Sequence, residues 1–66
     1  MTEQERRIQA ASVGGHVERS RVKDGHLVVL ISFLNRGKMH EGRRALVAKG
    51  WHVVTNGVDA TATVKL

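Results

Sequence analysis

The chain has 66 residues, which is enough for one small domain and no more. It contains no Cys, so neither a disulfide nor a thiolate metal site can stabilise it. Eleven Lys and Arg against six Asp and Glu give a net charge of +5, which favours an anionic partner. One Trp, one Phe and no Tyr predict a thin core, and we therefore expect a homodimer at micromolar concentration that buries Ile8 and part of residues 27–34.

The N-terminal residues 1–7 are polar and charged, without the apolar segment of a signal peptide. The longest apolar run, residues 27–34, is too short to cross a bilayer, which takes about 20 residues. We therefore expect a cytoplasmic protein that does not insert into membranes.

The first predicted element is a helix over residues 2–11, ended by Gly14 and Gly15. Thr2 and Glu5 have the spacing of a capping box. Its apolar side consists only of Ile8, Ala10 and Ala11, so we expect this helix either to fray or to depend on a partner.

An alternating strand is predicted over residues 16–22, followed by Asp24-Gly25, which fits a type I′ hairpin turn that pairs Val22 with Leu27. Because side chains alternate along a strand, Arg19, Arg21 and Lys23 would share one face. This basic ladder is either a solvated strand face or part of a binding site.

Residues 27–34 contain one polar residue, Ser32, and are predicted to be buried. Leu27, Leu30, Ile31 and Leu34 also fit a helical stripe, but β-branched residues and the preceding Asp-Gly favour a central strand.

A second helix is predicted over residues 40–49, with Gly50 after its end and residues 35–38 as a loop before it. Its apolar positions, which we expect to face the sheet, are Met39, Ala45, Leu46 and Ala48. Asn56-Gly57 then predicts a hairpin of residues 51–55 and 58–65, in which Thr55 pairs with Val58 and Val53 with Ala60.

These elements predict one α+β domain over residues 1–66, of order αββαββ, with both helices packed on one face of an antiparallel sheet. A winged helix is the alternative. It would turn residues 26–35 into a helix and use residues 51–66 as the wing.

No catalytic, metal or cofactor site is predicted. The four His residues lack the close spacing that places two ligands together, and Ser32 and Met39 replace the Gly and Ser/Thr that a phosphate-binding loop would need around Gly37-Lys38. His52 and Asp59 would lie diagonally across the last hairpin, but no nucleophile accompanies them. We therefore predict a protein that is not an enzyme.

Basic residues concentrate in the middle of the chain, where residues 25–50 hold five Lys and Arg against Glu41 alone, a net +4. This distribution predicts a small accessory protein that binds nucleic acid through backbone phosphates, with duplex DNA favoured. Little base specificity is expected, since Trp51 and Phe33 are assigned to the core. The alternative is a non-enzymatic module that docks a larger, acidic protein. The candidate binding residues are Arg36, Lys38, Arg43 and Arg44, together with the ladder of Arg19, Arg21 and Lys23.

Overall fold

A computed structural model describes all 66 residues. The elements follow in the order αββαββ, as predicted: α1 (Glu3–Ala11), β1 (His16–Lys23), β2 (His26–Ser32), α2 (Arg36–Ala48), β3 (His52–Asn56) and β4 (Asp59–Lys65). All strand pairs are antiparallel, and the order across the sheet is β1-β2-β4-β3. The domain is therefore α+β, and the winged-helix alternative is wrong because residues 26–32 form a strand.

The central position of β2 explains its composition. Leu27, Val29 and Ile31 point towards the helices and are fully buried, and Phe33 continues this row beyond the end of the strand. Leu34 is 87% exposed, so the prediction that the whole apolar run is buried was wrong at its last residue. The buried cluster also contains Ala10, Met39, Leu46, Trp51, Ala60, Ala62 and Val64.

Helix α1 begins at the predicted capping box. The Thr2 hydroxyl accepts a hydrogen bond from the Glu5 backbone N–H at 3.2 Å, and the Glu5 carboxylate accepts one from the Thr2 backbone N–H at 3.3 Å. The latter bond is the main reason that the pKa of the Glu5 carboxyl lies below its ordinary value. Only Ala10 of this helix is buried, and Ile8 is 61% exposed.

Helix α2 begins at Arg36, four residues before the predicted start. The Asn35 side chain accepts a hydrogen bond from the Lys38 backbone N–H at 2.9 Å and caps the helix, so Gly37 lies in the first turn rather than in a loop. Met39 and Leu46 are buried as predicted, whereas Ala45 and Ala48 are exposed and Gly42 is buried instead. The buried residues of α2 are therefore Met39, Gly42 and Leu46, which lie at positions i, i+3 and i+7 of the helix.

Two tight turns close the hairpins. Asp24 and Gly25 have φ of 50° and 75°, and Lys23 pairs with His26 and Val22 with Leu27, which confirms the type I′ prediction. In the second hairpin the turn lies one residue later than predicted, at Gly57-Val58, where Gly57 has φ of 63°. Glycine at the first turn position is typical of a type II′ turn. The pairs predicted for Thr55 and Val53 were therefore wrong: these residues lie opposite Ala60 and Ala62.

The two αββ halves meet through β2 and β4, which pair antiparallel at the centre of the sheet. In the first half Thr2 caps the helix and Lys23 precedes the hairpin turn, and in the second half Asn35 and Asn56 do the same. The two pairs have equal separations along the chain, so cap and turn lie at equivalent positions in each half. The halves are thus related by an approximate two-fold axis through the β2–β4 pair. Neither helix is long and apolar enough to cross a membrane.

Candidate functional site

Both helices cover the same face of the sheet, so the opposite face is open to solvent. We call it the open face. Strand register places four cross-strand rows there, because paired residues share a face. The rows are Lys23-His26-Lys65, Arg21-Val28-Thr63-His52, Arg19-Leu30-Thr61-Val54 and His16-Ser32-Asp59-Asn56.

Positive charge dominates this surface. The three ladder residues Arg19, Arg21 and Lys23 share it, as predicted, and the C-terminal strand adds Lys65. None of these four exposed cations has a carboxylate within 4.0 Å, since the ion pairs of the molecule lie elsewhere. Four unpaired cations within one sheet face provide a field suited to an anionic ligand.

Asp59 is the one carboxylate among the paired residues of the open face. It lies in the row furthest from Lys23 and Lys65 and accepts a hydrogen bond from the Ser32 hydroxyl at 2.8 Å. At the opposite end of the face the strands carry no carboxylate, and Asp24 of the β1–β2 turn is the acidic residue there. His52 lies opposite Thr63, two rows away from Asp59, so the predicted diagonal pair of His52 and Asp59 does not form.

An aliphatic strip runs beside the ladder. The strip consists of Val28 and Leu30 of β2, which are half-buried by neighbouring side chains, whereas Val54 lies beyond Thr61 on β3 and is 58% exposed. A shallow hollow of about 260 Å³ lies between the strip and the ladder, lined by Arg19, Ser20, Arg21, Val28, Leu30 and Thr61. The hollow thus has an apolar floor of Val28 and Leu30. The guanidinium groups of Arg19 and Arg21 lie along one side and the Thr61 hydroxyl along the other.

Neither the Trp nor the Phe side chain reaches the open face, whose only aromatic rings are the imidazoles of His16, His26 and His52. Trp51 is 3% exposed and Phe33 is 6% exposed, and both belong to the core, as predicted. The Trp51 indole N–H donates to the Gln9 side-chain oxygen of α1 at 3.1 Å, which places the ring under the helices. Bases therefore have no Trp, Tyr or Phe ring to stack on here, and only the smaller imidazole rings are available.

Helix α2 carries the second group of predicted residues, on the other side of the sheet. Arg36, Arg43 and Arg44 lie at i, i+7 and i+8 and share a flank with His40. We call these four residues the α2 stripe. One flank of α2 faces the α1 half of the molecule: Gly42 points towards the Val13 carbonyl, and the Lys49 carbonyl accepts a hydrogen bond from Arg6. The α2 stripe lies on the opposite flank.

Lys38 is separate from both groups. It lies on the other flank of α2, where its ammonium is 3.7 Å from the Glu41 carboxylate. The seven predicted residues are therefore divided among three places. The structure brings Arg19, Arg21 and Lys23 together on the open face, and Arg36, Arg43 and Arg44 together on α2.

Val28 and Leu30 lie opposite Arg21 and Arg19, as the predicted pairing of Val22 with Leu27 implies, but sequence reasoning missed Lys65 and Thr61 on this face. Their proximity results from the pairing of β2 with β4, which joins segments from different halves of the chain. The alternation of residues 59–65 was a local signal that Lys65 and Thr61 share a face, but it did not show which strand lies beside them.

No three side chains among His, Asp and Glu lie close enough together to hold a metal ion. Comparison of the chain with protein-family models, with curated proteins and with solved structures gave no match. What the open face and the α2 stripe do must therefore be inferred from their chemistry.

Proposed function

We propose that the protein binds nucleic acid through backbone phosphates, and that the open face is the binding surface. The observation that supports this assignment is the group of four unpaired cations, Arg19, Arg21, Lys23 and Lys65, on a sheet face that no helix covers. Phosphate contacts need exposed Lys and Arg rather than base-reading pockets, and the protein is accordingly non-enzymatic and not selective for sequence.

The ladder has a spacing that suits a repeated anion. Side chains two residues apart on a strand are about 6.7 Å apart, from a rise of about 3.3 to 3.4 Å per residue. Successive phosphates of one nucleic-acid strand have a similar separation. Arg19, Arg21 and Lys23 can therefore each meet one phosphate of the same strand, with Lys65 reaching a fourth from the neighbouring side.

The salt dependence of binding tests this assignment. Four phosphate contacts predict a slope of log affinity against log salt of about −2.8 to −3.6, from about 0.7 per phosphate on single strands and about 0.9 on duplexes. Changing the ladder to Gln at Arg19, Arg21 and Lys23 removes three contacts and should flatten the slope by about 2.1 to 2.7. Anisotropy of a labelled oligonucleotide of mixed sequence measures both slopes.

The α2 stripe provides the matched control. Replacing Arg36, Arg43 and Arg44 with Gln removes the same three charges on the other side of the sheet, so the net charge of the two variants is equal. We expect this variant to keep most of the slope. A larger loss in the stripe variant than in the ladder variant would move the binding surface to α2. Absence of binding to any nucleic acid at low salt would contradict the proposed function itself.

A protein-binding module that docks an acidic partner is the second candidate, and the β3 edge favours it. β3 is an outer strand without Lys, Arg or a bulge, whereas the β1 edge has three cations and an irregularity between Val17 and Arg19. An extended acidic segment paired with β3 would lie beside the α2 stripe. Binding of a Glu-rich peptide that the stripe variant loses and the ladder variant retains would support this candidate.

A further inference from the structure

We infer that the open face takes single-stranded nucleic acid in preference to duplex, with a base or sugar of an unpaired nucleotide seated in the hollow beside Arg19 and Arg21. This inference rests on the proposed function and specifies its ligand. Three properties of the face lead to it: its width, the apolar floor of the hollow and the volume of the hollow beside Arg19 and Arg21.

The width of the face excludes the grooves of a duplex. Four strands about 4.8 Å apart place the axes of β1 and β3 about 14 Å from each other, before side chains are added. The major groove of B-DNA is about 12 Å wide and the minor groove about 6 Å. The face therefore meets a duplex only along its outer ridge, where few phosphates reach the ladder at once. A single strand can lie flat along β1 and contact each rung.

The floor of the hollow is apolar although it is open to solvent. Val28 and Leu30 lie on the central strand and are half-buried, with Thr61 of β4 beside Leu30. Apolar area left beside unpaired guanidinium groups suits a ligand that is itself partly apolar and partly anionic. A nucleotide has both parts, whereas the outside of a duplex presents phosphates and sugars and keeps its bases stacked inside.

The volume of the hollow limits what enters it. At about 260 Å³ it is slightly smaller than the pockets that hold drug-sized ligands, which begin at about 300 Å³. This space matches one base or one sugar rather than several stacked bases. Arg19 and Arg21 line the same hollow, so the phosphates on either side of the seated unit would lie against their guanidinium groups. Guanidinium planes also stack on bases, so Arg19 and Arg21 can do so where no Trp, Tyr or Phe ring is present.

The test compares one labelled strand of about 12 nucleotides with the duplex formed from it and its complement, at about 50 and about 200 mM salt. We expect the wild-type protein to bind the single strand at least about tenfold more tightly than the duplex. Equal or tighter binding of the duplex would overturn this inference and leave the proposed function intact. Binding of neither form at the lower salt would overturn the proposed function.

A substitution on the floor of the hollow separates the contribution of the hollow to binding from that of the cations. Leu30→Thr places a polar side chain on the floor without touching a cation, so it should weaken binding to the single strand by about three- to tenfold and leave the salt slope unchanged. Val54→Thr is the matched control, because Val54 lies in the same row of the open face but outside the hollow. Equal effects of the two substitutions would contradict a role for the hollow.

Two further measurements keep the result interpretable. If Leu30→Thr unfolds the domain, Val28→Thr serves instead, since it changes polarity at almost constant shape on the same floor. Inorganic polyphosphate is the third ligand, with phosphates but neither sugar nor base. If it competes as strongly as the single strand at equal phosphate concentration, the ladder alone accounts for binding and the inference fails. Weaker competition by polyphosphate supports it.

Discussion

Strand β2 presents apolar side chains to both faces of the sheet, and the two rows have different surroundings. Leu27, Val29 and Ile31 meet the helices and are at most 1% exposed. Val28 and Leu30 face the other way and stay half-buried, covered only by side chains of β1 and β4. The open-face row also contains His26 and Ser32, so polarity separates the two rows only at their ends, and Val28 and Leu30 are as hydrophobic as the buried residues beside them.

The largest expected effect compares neighbouring residues of the two rows. Ile31→Ala removes a fully buried side chain under the helices and should lower the free energy of unfolding by about 2–5 kcal/mol. Leu30→Ala, on the open face, should lower it by about 1 kcal/mol because less apolar area is lost. Urea unfolding followed by Trp51 fluorescence measures both. Equal losses would indicate that the open face is covered in solution, for example by a second copy of the chain.

An open face covered by a second copy of the chain would support the homodimer, which stays a prediction. The expected interface of Ile8 with part of residues 27–34 is reduced in the structure, since the chain's own helices cover the alternate residues from Leu27 to Phe33. Ile8, Val28, Leu30 and Leu34 are the apolar members of that set with accessible surface, and Leu34 is the most exposed of them. Four unpaired cations on the open face oppose face-to-face pairing of two copies.

A smaller effect tests how closely the helices cover the inner row. A Cβ atom at Gly42 would lie 2.5 Å from Cε1 and Cζ of Phe33, so Gly42→Ala forces the ring or the helix to move. We expect a loss of about 1–3 kcal/mol from overpacking, although Ala favours a helix by about 1 kcal/mol over Gly. Thermal unfolding measures the change. Adding Phe33→Leu should recover part of the loss, and strict additivity of the two substitutions would contradict the contact.

The smallest expected effect on stability concerns the N-terminal caps of the two helices. Thr2→Ala removes the hydroxyl that caps α1 and should lower stability by about 1 kcal/mol, as should Asn35→Ala at the start of α2. The pKa of Glu5 is lowered in the folded protein, so its contribution is present above the unfolded pKa and is lost as the pH falls through the folded value. Thr2→Ala keeps the backbone N–H that is the main cause of this shift, whereas Glu5→Gln removes the titrating group, so the acid-side loss of stability should be smaller in Glu5→Gln than in the wild type. An unchanged pH profile in chemical unfolding would argue against the capping box.

Local signals in the sequence predicted much of this fold. The capping box at Thr2 and the Asp24-Gly25 turn each act within a few residues, and both were confirmed. Asn35 and Asn56 were harder to interpret, because an Asn side chain that accepts from a nearby N–H serves equally in a turn and in a helix cap. Reading Asn35 as part of a loop placed the start of α2 too late, and reading Asn56 as a turn residue shifted the second hairpin.

The remaining differences arise from contacts between distant segments. Gly42 is buried because Phe33 lies against it, and Leu34 is exposed because the chain leaves the sheet after Phe33. The proximity of Lys65 and Thr61 to the basic ladder depends on the pairing of β2 with β4. Such pairings join residues far apart in the chain, so composition and periodicity showed the basic ladder but not the surface around it.

The approximate two-fold arrangement of the αββ halves also affects how the chain folds. Each hairpin closes through a two-residue turn, whereas β2 and β4 can pair only after the loop that contains α2 and β3 has closed. Since closure entropy grows with loop length, we expect the two hairpins to form early and the central pairing last. A transition state in which substitutions at the β2–β4 contact had larger φ-values than those in either hairpin would contradict this order. The β2–β4 contact lies at the centre of the finished sheet, yet it would be the last part of the sheet to form.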